Sequence, residues 1–225
     1  MGLFAISYVT LLHNVLRPAL SPKSVAALGT IARCTPLSFG EPSELLLDDA
    51  PTGLTIRIDA TTYYRVYGAN ASQLEQQIKQ CAPGGNPDAA AEFTGVTNYS
   101  LTWSYAYTSL TNGNCQLSDV KVGLHTATAL PEWQPLAAST RLANEWQAFI
   151  KALAMHEQYH VGLDRLYAAQ LTADLTNLAP MSCGRLASAA QSLVQADITT
   201  LNQANTDYDT QTDHGATQGA ILPVD

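Results

Sequence analysis

Between Ser139 and Asn177 nothing interrupts a helical pattern except Gly162, and no other stretch constrains the fold as much as this run. Apolar residues recur at helical spacing through Leu142, Trp146, Phe149 and Leu153, and the stripe continues through His156, His160, Leu163 and Tyr167. A helix so patterned has to lie along a core. Two imidazoles on its buried face then need partners, because an unsatisfied buried polar group costs on the order of 1–3 kcal/mol. A solvated pair would instead share the polar face with Arg141, Asn144, Glu145, Lys151 and Gln158. Gly162 costs about 1 kcal/mol against alanine in a helix.

The same stretch spells H-E-x-x-H, from His156 to His160. Residues four apart lie on one helix face about a turn apart, so both imidazoles can address one ion. Neutral imidazole suits Zn2+. Glu157 projects roughly 100° around the helix from His156, so it flanks the ion rather than joining the histidines as a ligand. Zinc lowers the pKa of a bound water towards neutrality, and a flanking carboxylate can take the proton. The chemistry implied is metal-assisted amide hydrolysis, with His156 and His160 as metal ligands and Glu157 as general base.

The remaining composition narrows the setting. A chain of 225 residues, 46% of them apolar, suits one domain with a sizeable core. A net charge of −8 without a Lys/Arg cluster argues against nucleic acid and anionic membrane surfaces as partners. The apolar run from Leu3 to Leu12 has signal-peptide length, but no Lys or Arg precedes it, and His13 and Arg17 interrupt its extension. Residues 1–33 are therefore set aside as a degraded or leader-like, poorly ordered segment, and 34–225 as a single domain without stable membrane insertion. Cys34, Cys81, Cys115 and Cys183 lack C-x-x-C spacing, which disfavours a zinc ribbon and fits one or two disulfides in an oxidising compartment, secreted or periplasmic.

Leu54 to Tyr67 alternates as a strand, and Ser72-x-x-Glu75 reads as a capping box opening a short helix through Leu74, Ile78 and Cys81. Phe93 to Leu110 and Cys115 to Leu130 form two alternating runs around Asn112-Gly113, a hairpin signal. After the stop at Leu178-Ala179-Pro180, Ser182 is a plausible N-cap for a second helix from Cys183 to about Asn205. The expected fold is α+β: a small, mostly antiparallel sheet packed with a long antiparallel helix pair that carries H-E-x-x-H. From His160 the first helix climbs about 26 Å to its end, so the returning helix comes level with His160 near residue 200 and with His156 near residue 204.

A catalytic zinc takes three protein ligands and keeps an open position. No glutamate follows Glu157, and Leu163 and Leu166 stand where the longer H-E-x-x-H-x-x-G-x-x-H pattern needs Gly and His. Asp164 and the segment from Tyr208 to Gly215 remain as sources of the third ligand. Several stretches resemble a family of bacterial predicted secreted zinc-dependent proteases, a domain of unknown function. They are Tyr63-Tyr64-Arg65-Val66-Tyr67-Gly68, Trp103-Ser104-Tyr105, Leu130-Pro131-Glu132-Trp133, Trp146, the H-E-x-x-H itself and the ending Tyr208-Asp209-x-x-Thr212-x-His214-Gly215-Ala216-Thr217-Gln218-Gly219-Ala220. The likeness runs from about residue 54 to 222.

The resemblance implies His156 and His160 as ligands, Glu157 as base and His214 as third ligand; on the residues alone, Asp164 and Asp209 stay open as alternatives. Asp209 could instead accept an N–H from a ligating histidine. Cys115 and Cys183 look like the family's cysteine pair, leaving Cys34 and Cys81 for a second bridge. Tyr208 or Tyr159 is a candidate donor to the oxyanion developing on the scissile carbonyl. The expected function is a secreted zinc metallopeptidase acting as a monomer on peptide or protein substrates. The alternative is a non-catalytic cell-envelope protein with a structural or binding zinc.

Overall fold

The computed structural model describes residues 5–9, 50–83, 94–135 and 139–224. Its strands are β1 (Ala5–Val9), β2 (Leu54–Ile58), β3 (Thr62–Gly68), β4 (Val96–Ser109), β5 (Asn114–Pro135) and β6 (Met181–Ser182). The helices are α1 (Ala71–Cys81), α2 (Thr140–Thr176) and α3 (Cys183–Thr212), followed by a 3₁₀ turn at Ala216–Gln218.

The 22-residue β5 is the spine of the sheet. One edge pairs antiparallel with β4 through a hairpin whose turn places Gly113 at φ +83°, a conformation glycine adopts at no steric cost. Along its other edge lie β6, β2 and β3 in succession, and β2 and β3 both run parallel to β5. β1 pairs antiparallel with the far side of β4. Of the segment set aside as leader-like, these five residues pair in the sheet, and the rest lies outside the described residues.

The architecture expected from the sequence needs correcting. In place of a small, mostly antiparallel sheet with one helix pair against it, the protein is an α+β fold with a six-stranded mixed sheet and three helices. Alternation reports which face of a strand is buried but not its direction. The stretch from Leu54 to Tyr67 is two strands broken at 59–61, β2 and β3, and both run parallel to β5. The capping box also sits two residues earlier than expected: Asn70 Oδ1 accepts from Gln73 N at 3.0 Å, and Gln73 Oε1 accepts from Ala69 N at 2.8 Å.

Two cores meet on α2. Its first half, through Leu142, Trp146, Phe149 and Leu153, packs with Tyr64 and Val66 of β3 and with Leu74 and Ile78 of α1. The second half, through Ala168, Leu171 and Leu175, packs with β2, β4, β5 and the apolar stripe of α3 from Leu186 to Leu201. His156, Glu157, His160 and Asp164 are buried between these two clusters.

A disulfide joins Cys115 at the start of β5 to Cys183 at the start of α3, as the resemblance implied. Cys81 is disulfide-bonded too, and Cys34 lies outside the described residues. The Cys115–Cys183 bridge suggests an extracytoplasmic location. Among the described residues no helix is long and apolar enough to cross a membrane. Replacing both Cys115 and Cys183 by serine is expected to destabilise the fold by about 2–5 kcal/mol, since the bridge closes a long loop. Urea unfolding of the variant beside the oxidised wild type reads this directly.

Candidate metal centre

The centre is built where α2 passes α3. His156 and His160 come from adjacent turns of α2, and α3 places Asp209 opposite them. His156 Nε2 lies 3.1 Å and His160 Nε2 2.9 Å from Asp209 Oδ1, while the two Nε2 atoms are 3.3 Å apart. The three ligand atoms all lie within 4.8 Å of one another, with both histidines buried and Asp209 half-buried. Two imidazoles and a carboxylate are donors that zinc accepts, and the arrangement is compatible with metal binding.

Glu157 is buried against the start of β4. Thr97 Oγ1 donates to Glu157 Oε2 at 2.8 Å. Gly95 gives the carboxylate room, since a Cβ there would stand 2.4 Å from Glu157 Oε1. Tyr64, fully buried nearby, donates its hydroxyl to the Thr94 carbonyl at 2.5 Å. Burial and the neighbouring Glu157 push the Tyr64 phenol up, so it stays neutral.

Behind the Nε2 atoms lies a set of polar contacts. His156 Nδ1 is 3.1 Å from Gln218 Oε1, which also accepts from the Tyr208 hydroxyl at 3.1 Å. His160 Nδ1 is 2.6 Å from Asn205 Oδ1, and Asn205 Nδ2 donates to Asp164 Oδ1 and to the Leu201 carbonyl, each at 3.3 Å. The Tyr208 ring is stacked between His156 and Tyr159, with centroids 4.8 and 4.1 Å away.

The charges respond to this packing. Burial pushes Glu157 up, against the lowering pull of its Thr97 bond and of the two histidines. Burial likewise pushes Asp164 up to about 7. Asp209 goes the other way: burial opposes its charge, but hydrogen bonds from His156 and His160 hold it well below the usual carboxylate range. Burial alone would lower His160, yet its bonds to Asp209 and Asn205 leave it above the ordinary imidazole value.

The sequence placed His156, His160 and Glu157 together, and they are together. Of the candidates for the third position, Asp209 meets both imidazoles. His214 is exposed in the turn that ends α3, at φ +50°, with its backbone N–H donated to Asp209 O, and it is not in the three-residue group. Asp164 faces Asn205 instead of the ion site. Tyr208 is at the centre, its ring against both imidazoles and its hydroxyl bonded to Gln218.

The second helix, expected to end near Asn205, runs to Thr212, because no Gly or Pro interrupts it before Gly215. Its contacts with α2 also fall about five residues later than the rise per residue suggests. Side chains lean towards the N-terminus of their own helix, so on antiparallel neighbours they lean in opposite senses. A correction of that kind would have pointed from residue 204 towards Asp209. Thr97, Gly95, Asn205 and Gln218 carried no motif by which the sequence could single them out.

The stretch from β3 to the turn after α3 is also what links the chain to known proteins. The family described as "Bacterial protein of unknown function (DUF922)" matches residues 61–215, and the chain belongs to that family. No curated protein and no solved structure matches it.

Proposed function

We propose that this protein is a zinc-dependent peptidase in which His156, His160 and Asp209 hold the ion and Glu157 is the general base. The reading is carried by one observation: three atoms of the kinds zinc takes converge at a buried point, beside a carboxylate that other residues hold outside that group. The resemblance in the sequence supports it. Zinc, when bound, supplies a Lewis acid that polarises a carbonyl and acidifies a water. The chain does the rest. Glu157 accepts the proton, and Thr97 and Gly95 hold its carboxylate in place for the transfer. Tyr159, more than half exposed beside the centre, is positioned to meet a substrate. The substrate class is a peptide or protein, met outside the cytoplasm by a monomeric enzyme.

The alternative, an envelope protein with a structural zinc, calls for a fourth protein ligand. Among the described residues the group has three members. The test is zinc content by plasma mass spectrometry, together with hydrolysis of a quenched-fluorescence peptide library. The proposal expects one equivalent of zinc, and turnover that a chelator removes and added zinc restores. Stoichiometric zinc with no cleavage across the library would favour the structural alternative, and a protein that takes up no zinc would sink both.

A further inference from the structure

The contacts behind the two histidines are of one kind. Each Nδ1 faces a side-chain amide oxygen, Gln218 Oε1 for His156 and Asn205 Oδ1 for His160. An amide group can be turned over, so what matters is what holds each one. Asn205 Nδ2 is pinned by two acceptors, Asp164 Oδ1 and the Leu201 carbonyl, and an amide turned the other way would point its oxygen at both. Gln218 Oε1 also receives the Tyr208 hydroxyl, which holds the amide against His156, although a hydroxyl can bond either end of an amide. Asp164 is 1% exposed, and its Oδ2 has no hydrogen-bond partner among the described residues. A carboxyl group buried at such cost has a role in the centre or is a defect.

We infer that Asn205 and Gln218 are positioning residues that fix both histidines as Nδ1–H tautomers, and that Asp164 and Tyr208 act through them by holding the two amides. An oxygen at Nδ1 accepts only if the ring carries its proton there. In neutral rings so protonated, the Nε2 lone pairs face each other and Asp209 Oδ1, and a cation takes the place of the protons that otherwise bond those nitrogens to the carboxylate. This inference rests on the metal centre proposed above. It gives Tyr208 a different task from the oxyanion donor expected of it: its ring stacks on His156 while its hydroxyl sets the amide that sets that histidine.

The local backbone explains how Gln218 gets there. Asp213, His214 and Gly215 are three successive residues at positive φ, and they turn the chain out of α3 and back towards α2. Thr212 Oγ1 donates to the Tyr208 carbonyl at 2.8 Å and accepts from Gly215 N at 3.2 Å, tying this turn to the helix. A Cβ on Gly215 would lie 3.1 Å from His156 Cγ, so the turn packs directly on that ring. The tail motif that looked like a source of ligands thus supplies one ligand, Asp209, and the frame of another, His156.

The test is zinc affinity by chelator competition on the full chain, with folding checked by circular dichroism. Gln218→Leu and Asn205→Leu remove the acceptors and are expected to weaken binding about 10–100-fold, the usual effect of losing such a partner. Gln218→Glu keeps an acceptor at Nδ1 and should bind within about twofold of wild type. Tyr208→Phe keeps the stacked ring but frees the Gln218 amide, so affinity should fall several-fold. Wild-type affinity in both leucine variants, or equal losses in Gln218→Leu and Gln218→Glu, would overturn the inference. If the wild type itself bound no zinc, the metal reading would fail on its own. The tautomers would then be judged from long-range ¹⁵N–¹H spectra of the metal-free protein above the imidazole titration. Nδ1–H on both rings supports the inference, and Nε2–H on either one overturns it.

Discussion

Asp209→Ala is expected to weaken zinc binding by about 100-fold or more, beyond the roughly 10–100-fold that an outer partner costs, whereas His214→Ala should stay within a few-fold of wild type. The contrast follows from position. Asp209 Oδ1 touches both Nε2 atoms, while His214 stands exposed in the turn beyond it. Equilibrium dialysis against buffered zinc measures both, and the opposite ranking would return the third position to His214. The same pair predicts a pH dependence. His160 is raised by Asp209, so its contribution to the metal-free fold is complete below the unfolded imidazole pKa and is lost as pH rises through the folded value. Asp209 is depressed, so its contribution is present above the unfolded carboxylate pKa and is lost as pH falls through the folded value. The two overlap between about pH 4 and 6.5. In that window the chelated wild type should melt above Asp209→Ala by more than at pH 8. Zinc affinity should rise with pH, because the proton held by His160 has to leave before the metal enters.

How much of this could be read without coordinates depends on whether the information is local. The helix with its histidines is written in spacing, and so is the hairpin around Gly113, because both depend on residues near one another in the chain. Strand direction is not local. β2 and β3 alternate as antiparallel strands do, and only their pairing with β5, more than sixty residues on, makes them parallel. That Asp209, and not His214, stands opposite the two histidines was hidden for a geometric reason. A motif reports that the segment from Tyr208 to Gly215 is special, but the phase of α3 decides which of its residues faces α2. Once the helix is seen to continue to Thr212, Asp209 faces the histidines and His214 falls in the turn after the last residue. Thr97 and Gly95 were beyond reach, since a threonine and a glycine at the start of a strand are unremarkable until Glu157 is found packed on them.

Glu157→Gln is the second large effect, and it separates base from ligand. The substitution keeps shape and the Thr97 contact but removes the proton acceptor, so turnover should fall about 10²–10⁴-fold, the range that a general base contributes. Zinc content should be unchanged, because Glu157 lies outside the three-residue group. Loss of zinc together with activity would make Glu157 part of the metal's support instead. Gly95→Ala approaches the same carboxylate from the opposite side. Its Cβ would fall 2.4 Å from Oε1, far inside contact distance, so either the glutamate or the start of β4 must move. Because geometry errors near 1 Å can cost about 100-fold in rate, kcat should drop strongly while zinc remains bound. A Gly95→Ala protein with wild-type kcat would mean that the start of β4 gives way and the carboxylate keeps its place. The two variants together test the residue's chemistry and its placement separately, which neither does alone.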